Sequence, residues 1–367
     1  MPFNLSNELN LAADRLDKML RANNRRASNN VDKDALKIGQ KPNGPLKPIN
    51  AQQGRKDAVV PKPAVPNSQP STEPSQLRTK RANLQDNELK CLEMAEDIYK
   101  YLVHHEKKYV LLDTFLNGGE PTSKMRRILV DWLVQVHVRF HLLPETLHLT
   151  VFILDQMLAK KCVSKGDLQL LGISAMFVAS KYEEVFLPDI YDYEFITENT
   201  YSKKQILAME QTILNTLQFD LSCPSSLVFS RCISRVLSED ESIQVDQETF
   251  YYAYNISKCV GELALLDSIM SSVPRSHIAI ASMIIALNVH PVEGIEPNRA
   301  EATIITQLGA TKNEISEAVC LLANVASRNF KQAKLGAIKS KYQSSKLGQV
   351  SNLLTDEVIE KIEKLGE

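Results

Sequence analysis

Apolar residues recur along most of this chain at helical spacing, interrupted by short polar breaks. The spacing begins near Asn87 and predicts helices at about 125–141, 145–159, 166–182, 189–196 and 203–216. A second helical set follows over about 225–340. No run alternates between apolar and polar residues as a strand does, so the pattern predicts an all-α protein.

The breaks between the predicted helices carry residues that favour helix ends. Ser164 and Ser202 have the residue type and position of N-caps. The Phe219–Pro224 segment closes the first helical set, and the second set has a similar outline of about 100 residues. The outline suggests duplicated architecture, although no clear sequence repeat accompanies it.

The most informative helix is the one that contains Ile128–Val138, where eight of eleven residues are apolar and cover every face. A helix of this kind is normally buried in a larger protein. It begins with Met125-Arg-Arg, however, and carries the only tryptophan of the chain, Trp132, near its start. We therefore expect a central helix with one end at the surface, where a partner docks.

The first 83 residues have a different composition. They hold nine of the sixteen prolines, one aromatic residue and an excess of eight positive charges (15 Lys or Arg against 7 Asp or Glu). Such a segment buries too little apolar surface to offset its ordering entropy, which predicts disorder. Leu9–Leu20 alone has helical spacing, and a transient amphipathic helix, a docking helix and an export signal all fit it.

Composition and motifs exclude several classes of protein. The six cysteines form no CxxC pair, which is typical of a reduced intracellular protein without a zinc site. We find no nucleotide-binding, metalloprotease or serine-hydrolase motif. His137 and His141 lack an evident third metal ligand, and the adjacent Glu183 and Glu184 diverge on a helix. The sequence therefore predicts no catalytic residue, metal or cofactor, and no signal peptide or membrane span.

Two motifs point to a family. Ala179–Glu184 (Ala-Ser-Lys-Tyr-Glu-Glu), taken with Met125–Trp132 (Met-Arg-Arg-Ile-Leu-Val-Asp-Trp), resembles the cyclin box, in particular that of mitotic B-type cyclins. Further segments are similar in the same order: Glu145–Leu149, Leu168–Gly172, Phe195–Asn199, Met209–Glu210, Gly261–Asp267 and Lys341–Lys346. The resemblance spans about residues 86–352, and the Pro-rich basic arm resembles B-type rather than G1-type cyclins.

The resemblance implies an all-α fold of two tandem five-helix cyclin-box domains, preceded by an N-terminal helix and a disordered arm. We expect the regulatory arm at 1–85, the helix and a linker at 86–123, the two boxes at 124–222 and 223–345, and a C-terminal tail at 346–367.

The resemblance also implies a regulatory subunit that binds and activates a mitotic cyclin-dependent serine/threonine kinase. Lys181 and Glu210 match the lysine and glutamate with which the family contacts the kinase's regulatory helix. Without the resemblance, they are an ordinary helix-end cation and an ordinary helix glutamate. Apolar kinase-contact positions of the family match Val178, Tyr182, Leu214, Phe219 and Leu221.

The start of the central helix is similar to the family's hydrophobic patch, which captures Arg-x-Leu peptides of substrates. The floor of that patch corresponds to Met125, Ile128, Leu129, Trp132 and Leu168. Gln135 stands where many A-type cyclins have glutamate, so we expect weaker pairing with the basic residue of the peptide. Gln156 follows Asp155 where the family usually has arginine, which puts one internal ion pair in question.

The arm of a mitotic cyclin carries the signal by which a ubiquitin ligase removes it at mitotic exit. Lys33 and Leu36 begin a segment that resembles the longer B-type destruction box, with lysine in place of arginine. Arg81 and Leu84 form the shorter Arg-x-x-Leu signal, and both segments are candidates. We expect the protein in the cytoplasm and nucleus, with Arg78–Arg81 either an import element or solvated charge.

The main alternative is a transcription-factor IIB-like protein, which uses the same helical fold to bind DNA. It would require an N-terminal zinc ribbon and a basic box domain. This chain has no CxxC pair, and its residues after 83 carry nine net negative charges (28 Lys or Arg against 37 Asp or Glu). The sequence thus predicts neither a nucleic acid nor a membrane as partner.

Overall fold

The computed structural model describes residues 97–239, 246–332 and 336–366, and within these ranges all regular secondary structure is helical. A first helix, α1, occupies residues 97–106. The predicted arm, with both candidate destruction signals and the Leu9–Leu20 segment, lies outside the described residues. None of the described helices is long and apolar enough to cross a lipid bilayer.

The first helical set contains five helices: α2 (Ser123–Phe140), α3 (Pro144–Lys160), α4 (Leu168–Glu183), α5 (Ile190–Ile196) and α6 (Lys203–Leu217). The predicted segments differ from these bounds by two residues at most. α2 packs against α3 and α4, and α4 also packs against α6. The central position of α2 explains why apolar residues cover all of its faces.

The structure bears out one of the two N-caps predicted from the sequence. Ser202 and Gln205 form a capping box at the start of α6, as the sequence predicts for Ser202. The prediction for Ser164 is wrong, because α4 begins only at Leu168, with Asp167 as its N-cap residue. The Ser164 hydroxyl instead accepts a hydrogen bond from the Asp167 amide at 3.1 Å and stabilises the preceding turn.

The second set also contains five helices: α7 (Ser226–Glu239), α8 (Gln247–Leu263), α9 (Arg275–Val289), α10 (Pro297–Leu308) and α11 (Lys312–Lys331). The apolar helix α9 is central and packs against the other four. The short α12 (Ala337–Lys341) then returns to pack on α2, and α13 (Asp356–Lys364) packs on α11 and α9.

Helix α1 packs against helices of the second set, although the first box follows it in sequence. Tyr99 lies edge-to-face on Phe229 of α7, with 5.7 Å between ring centroids. The buried carboxylate of Glu106 accepts hydrogen bonds from the amide and the hydroxyl of Ser276, the amide at 2.9 Å. Because Pro274 precedes α9 and offers no side-chain acceptor, Glu106 caps that helix from a distance.

Candidate functional site

The two charged residues that the resemblance singles out lie side by side on neighbouring helices. Lys181 Nζ in the last turn of α4 donates to Glu210 Oε1 of α6 at 2.6 Å. The ammonium also lies 4.1 Å from the centroid of the Phe177 ring. The lysine side chain is 41% exposed and that of Glu210 is 12% exposed, so the pair is reachable from solvent at one edge.

The local sequence explains why this pair sits where it does. Every residue of α4 from Leu170 to Ser180 is buried, because α3, α5 and α6 surround the helix. The helix emerges only at Lys181, where a cation also interacts favourably with the helix dipole. The capping box at Ser202 fixes the start of α6 and thereby the position of Glu210 two turns later.

The apolar positions predicted around the pair divide into two groups. Tyr182 and Phe219 are exposed, Phe219 by 68%, and Leu214 is half-buried. Val178 and Leu221, in contrast, are buried in the chain alone, and their contact with a kinase stays a prediction. Val178 belongs to the enclosed part of α4.

The structure adds exposed apolar residues that the sequence reasoning missed. After α4 the chain exposes Val185, Phe186 and Leu187 in succession, with Phe186 exposed by 92%. Tyr191 and Phe195 of α5 are exposed as well. These residues, with Tyr182 and Phe219, lie on or next to α4, α5 and α6, and α4 and α6 also carry the Lys181–Glu210 pair. The available signal was three apolar residues directly before Pro188 in a segment too short for a helix.

Such an accumulation of exposed large apolar side chains is unusual for a free surface and marks an interaction site. We call these residues the docking face: Tyr182, Val185, Phe186, Leu187, Tyr191, Phe195 and Phe219, with Lys181 and Glu210 at its edge. The neighbouring Glu184 has a structural role and is not part of the docking face. It accepts hydrogen bonds from the Leu143 amide at 2.7 Å and the Thr146 hydroxyl at 2.6 Å and so caps α3.

The predicted substrate patch is largely enclosed. Trp132 is only 2% exposed, and Met125, Leu129 and Leu168 are buried with it, while Ile128 and Gln135 are half-buried. The N-terminal end of α2 does reach the surface, at Ser123 and Lys124, but the expectation that the helix surfaces at its tryptophan is wrong. Helices α3, α4 and α12 all pack on α2, and the Asp131 carboxylate accepts hydrogen bonds from the Ala337 amide of α12 and from Gln135.

Arg126, next to this patch, is fully buried and forms a bidentate ion pair with Asp155 of α3 at 2.6 and 2.7 Å. Its third nitrogen donates to the Leu265 carbonyl at 2.9 Å, and Ser271 donates to Asp155 at 2.7 Å. The Arg126–Asp155 pair thus joins the first box to the segment between α8 and α9. The residue after Asp155, Gln156, donates instead to the Tyr109 carbonyl at 3.0 Å.

Comparisons with known proteins show to which family the chain belongs. The chain matches the family described as cyclin, N-terminal domain, over residues 97–222, and cyclin, C-terminal domain, over residues 224–356. It is 69% identical over 352 residues to a G2/mitotic-specific cyclin-B1 of Caenorhabditis elegans, which covers 95% of this chain and 97% of that protein. The chain belongs to the cyclin family. Within that family it is a mitotic B-type cyclin.

More distant relatives support the same assignment. A G2/mitotic-specific cyclin-B of Patella vulgata is 36% identical over 272 residues, covering 74% of this chain and 63% of that protein. Among solved structures, a viral cyclin from herpesvirus saimiri superposes with a TM-score of 0.54 at 18% identity, over 63% of this chain and 96% of that one. This last likeness concerns the fold alone. The matches to the N-terminal and C-terminal cyclin domains confirm the predicted tandem cyclin boxes.

Proposed function

We propose that this B-type cyclin is the regulatory subunit of a mitotic cyclin-dependent kinase and that the docking face binds the kinase. The observation that carries the proposal is the exposed Lys181–Glu210 pair at the edge of an apolar face, at the two positions that match the family's charged contacts. The described residues contain no cluster suited to a metal ion, and the proposal requires no chemistry from the cyclin itself.

The docking face has enough apolar surface to drive such binding. Burying one large apolar side chain contributes about 1.5–3 kcal/mol, and seven such side chains are exposed here. Moving a kinase from 1% to 99% active requires about 5.5 kcal/mol of differential affinity for the active conformation. Burial of several of these side chains reaches that magnitude even after part of the gain is spent on association.

The charged pair supplies orientation rather than bulk affinity. A solvent-exposed ion pair contributes at most about 1 kcal/mol, so a partner can separate or share it at little cost. Hydrogen bonds from each charged group to the kinase would then contribute about 1.5–3 kcal/mol. Because Lys181 and Glu210 are already fixed by their helices, this recognition requires little further ordering.

The test is the double substitution Lys181→Ala with Glu210→Ala in a reconstituted kinase assay. We expect at least about a tenfold loss of kinase activation, because both anchors disappear from the edge of the face. Far-ultraviolet circular dichroism should remain that of the unmodified chain, since neither side chain lies in a core.

A matched control is the exposed pair Lys331–Glu363, which joins α11 to α13 and has the same 2.6 Å separation. The double alanine variant there should activate the kinase normally. Full activation by the Lys181 and Glu210 variant would contradict the proposed contact, and equal losses in both variants would indicate a general electrostatic effect.

We further propose that the protein selects substrates through Arg-x-Leu segments and is removed through its N-terminal arm. Ile128 and Gln135 are the patch residues that retain partial exposure, so they would form the accessible rim for such a peptide. The similarity of the Lys33 and Arg81 segments to destruction signals supports recognition by the ubiquitin ligase of mitotic exit. The arm's basic composition is consistent with distribution between cytoplasm and nucleus.

A further inference from the structure

The turn between the two boxes has an unusual backbone at the point where it exposes an aromatic side chain. Gln218 and Phe219, two successive residues other than glycine, have φ angles of 53° and 58°. This left-handed region is unfavourable for a residue with a side chain and persists only where surrounding structure imposes it. Phe219 is mostly exposed, so the packing of its own side chain does not offset the free energy of this backbone conformation.

Contacts on both sides of Phe219 hold the turn. On the helix side, the Phe219 amide donates to the Leu214 carbonyl at 2.9 Å, as at many helix ends. On the other side, Asp220 accepts hydrogen bonds from Tyr109 Oη at 2.6 Å, from Ser222 Oγ at 3.0 Å and from the ammonium of Lys108. We call Lys108, Tyr109, Asp220 and Ser222 the Asp220 cluster.

The Asp220 cluster is anchored in the body of the first box. Tyr109 is buried and packs edge-to-face on Phe152 of α3, with 5.3 Å between ring centroids. Its carbonyl accepts the hydrogen bond from Gln156. Partial desolvation raises the pKa of Asp220, but the three hydrogen bonds outweigh it and hold that pKa well below the usual range. The carboxylate therefore stays charged and bound at neutral pH.

We propose that the Asp220 cluster is a positioning device that holds the turn so that Phe219 projects onto the docking face. Tyr109 and Lys108, which precede the first box in sequence, thus become determinants of kinase affinity without contributing to the docking face themselves. The inference rests on the proposed function, because it assigns the cluster a role in kinase binding.

The experiment is a double-mutant cycle on the affinity of the full chain for its purified cyclin-dependent kinase. Tyr109→Phe removes one hydroxyl while keeping the ring on Phe152, and we expect it to weaken binding by about 3- to 10-fold. Phe219→Ala should weaken binding by itself. In the Phe219→Ala background, Tyr109→Phe should change affinity by less than about twofold, because the residue it positions is gone.

Lys108→Met is a second variant, on the exposed side of the cluster. It should weaken kinase binding in the unmodified chain but not in the Phe219→Ala background. Tyr342→Phe is the matched control, since that hydroxyl donates to Glu262 at 3.0 Å inside the second box and should show no coupling to Phe219. Unchanged affinity in both cluster variants, or equal losses with and without Phe219, would overturn the inference. An unmodified chain that binds no kinase would instead refute the proposed function.

Discussion

At the scale of single residues, this cyclin buries the charge of Arg126 by giving it specific partners. Arg126 is enclosed in an apolar helix, yet Asp155 and the Leu265 carbonyl satisfy its guanidinium. Loss of one partner would leave an unpaired buried charge, which typically costs about 3–5 kcal/mol. The pair therefore makes the contact between the first box and the segment after α8 specific.

Trp132 gives the prediction that belongs to this scale. Because its side chain is almost fully enclosed, Trp132→Ala should create a cavity and lower the free energy of unfolding by about 3–5 kcal/mol. Urea unfolding followed by circular dichroism measures this loss. Kinase activity of the complex should fall equally on a protein substrate and on a minimal peptide.

Ile128→Ala is the companion variant, since this patch residue is half-buried. Its loss of stability should be smaller, and any effect on protein substrates should exceed that on the peptide. A Trp132→Ala chain of normal stability that loses only protein substrates would show that the tryptophan contacts them directly.

At the scale of helices, the distance between packed helices decides whether a position can carry a side chain larger than that of glycine. Gly172 of α4 lies against Leu129 of α2, and a β-carbon there would meet two methyl groups of Leu129 at 3.0 Å. Gly261 of α8 is equally buried, but a β-carbon there would meet only ordinary contacts with Ser282, the nearest at 3.7 Å. The two glycines thus differ in the space around them rather than in their secondary structure.

We predict opposite effects of alanine at these two positions. Alanine stabilises a helix interior by about 1 kcal/mol relative to glycine, whereas overpacking costs about 1–3 kcal/mol. Gly261→Ala should therefore raise the free energy of unfolding by up to about 1 kcal/mol. Gly172→Ala should lower it, by up to about 2 kcal/mol after the helical gain is subtracted. Urea unfolding of both variants is the measurement, and equal stabilisation would mean that α2 and α4 separate easily.

At the scale of the whole molecule, two buried histidines lie where elements meet. His137 of α2 donates to the Leu143 carbonyl at 3.1 Å, and His148 of α3 faces Ser226 of α7, the first helix of the second box. Burial, followed by the positive charge of Lys341, lowers the pKa of each to about 3. Both histidines are therefore neutral in the folded protein at physiological pH.

The lowered pKa values of these two histidines predict a loss of stability in mild acid. The unfolded chain binds a proton at each histidine below pH of about 6.5, while the folded chain does not until pH of about 3. Stability should therefore fall as pH decreases through that window, by about 2 kcal/mol per histidine between pH 7 and 5. Urea unfolding at both pH values measures the difference.

His148→Gln should remove about 2 kcal/mol of this pH dependence, which is the contribution of that one histidine. Equal stability of the unmodified chain at pH 7 and 5 would mean that the two histidines become protonated without unfolding.

Helix positions were predictable from the sequence because the periodicity of apolar residues and the cap at Ser202 act within a few residues. The Lys181 and Glu210 positions were predictable from the cyclin-box motif, and α4 and α6 bring them together. The exposure of Phe186 and the contacts of the Asp220 cluster were not predictable from the sequence. Exposure depends on which distant segments cover a residue, and Tyr109 and Asp220 are more than a hundred residues apart in the chain.

The sequence by itself determined that this is an all-helical cyclin, because helical spacing and family motifs are local properties of the chain. Only the tertiary structure decided which side chains remain available to a partner. Trp132 is enclosed because three other helices pack on α2, whereas Phe186 is exposed because nothing within the described chain covers the segment after α4. Exposure depends on what distant segments bring to each residue, and no local pattern contains that information.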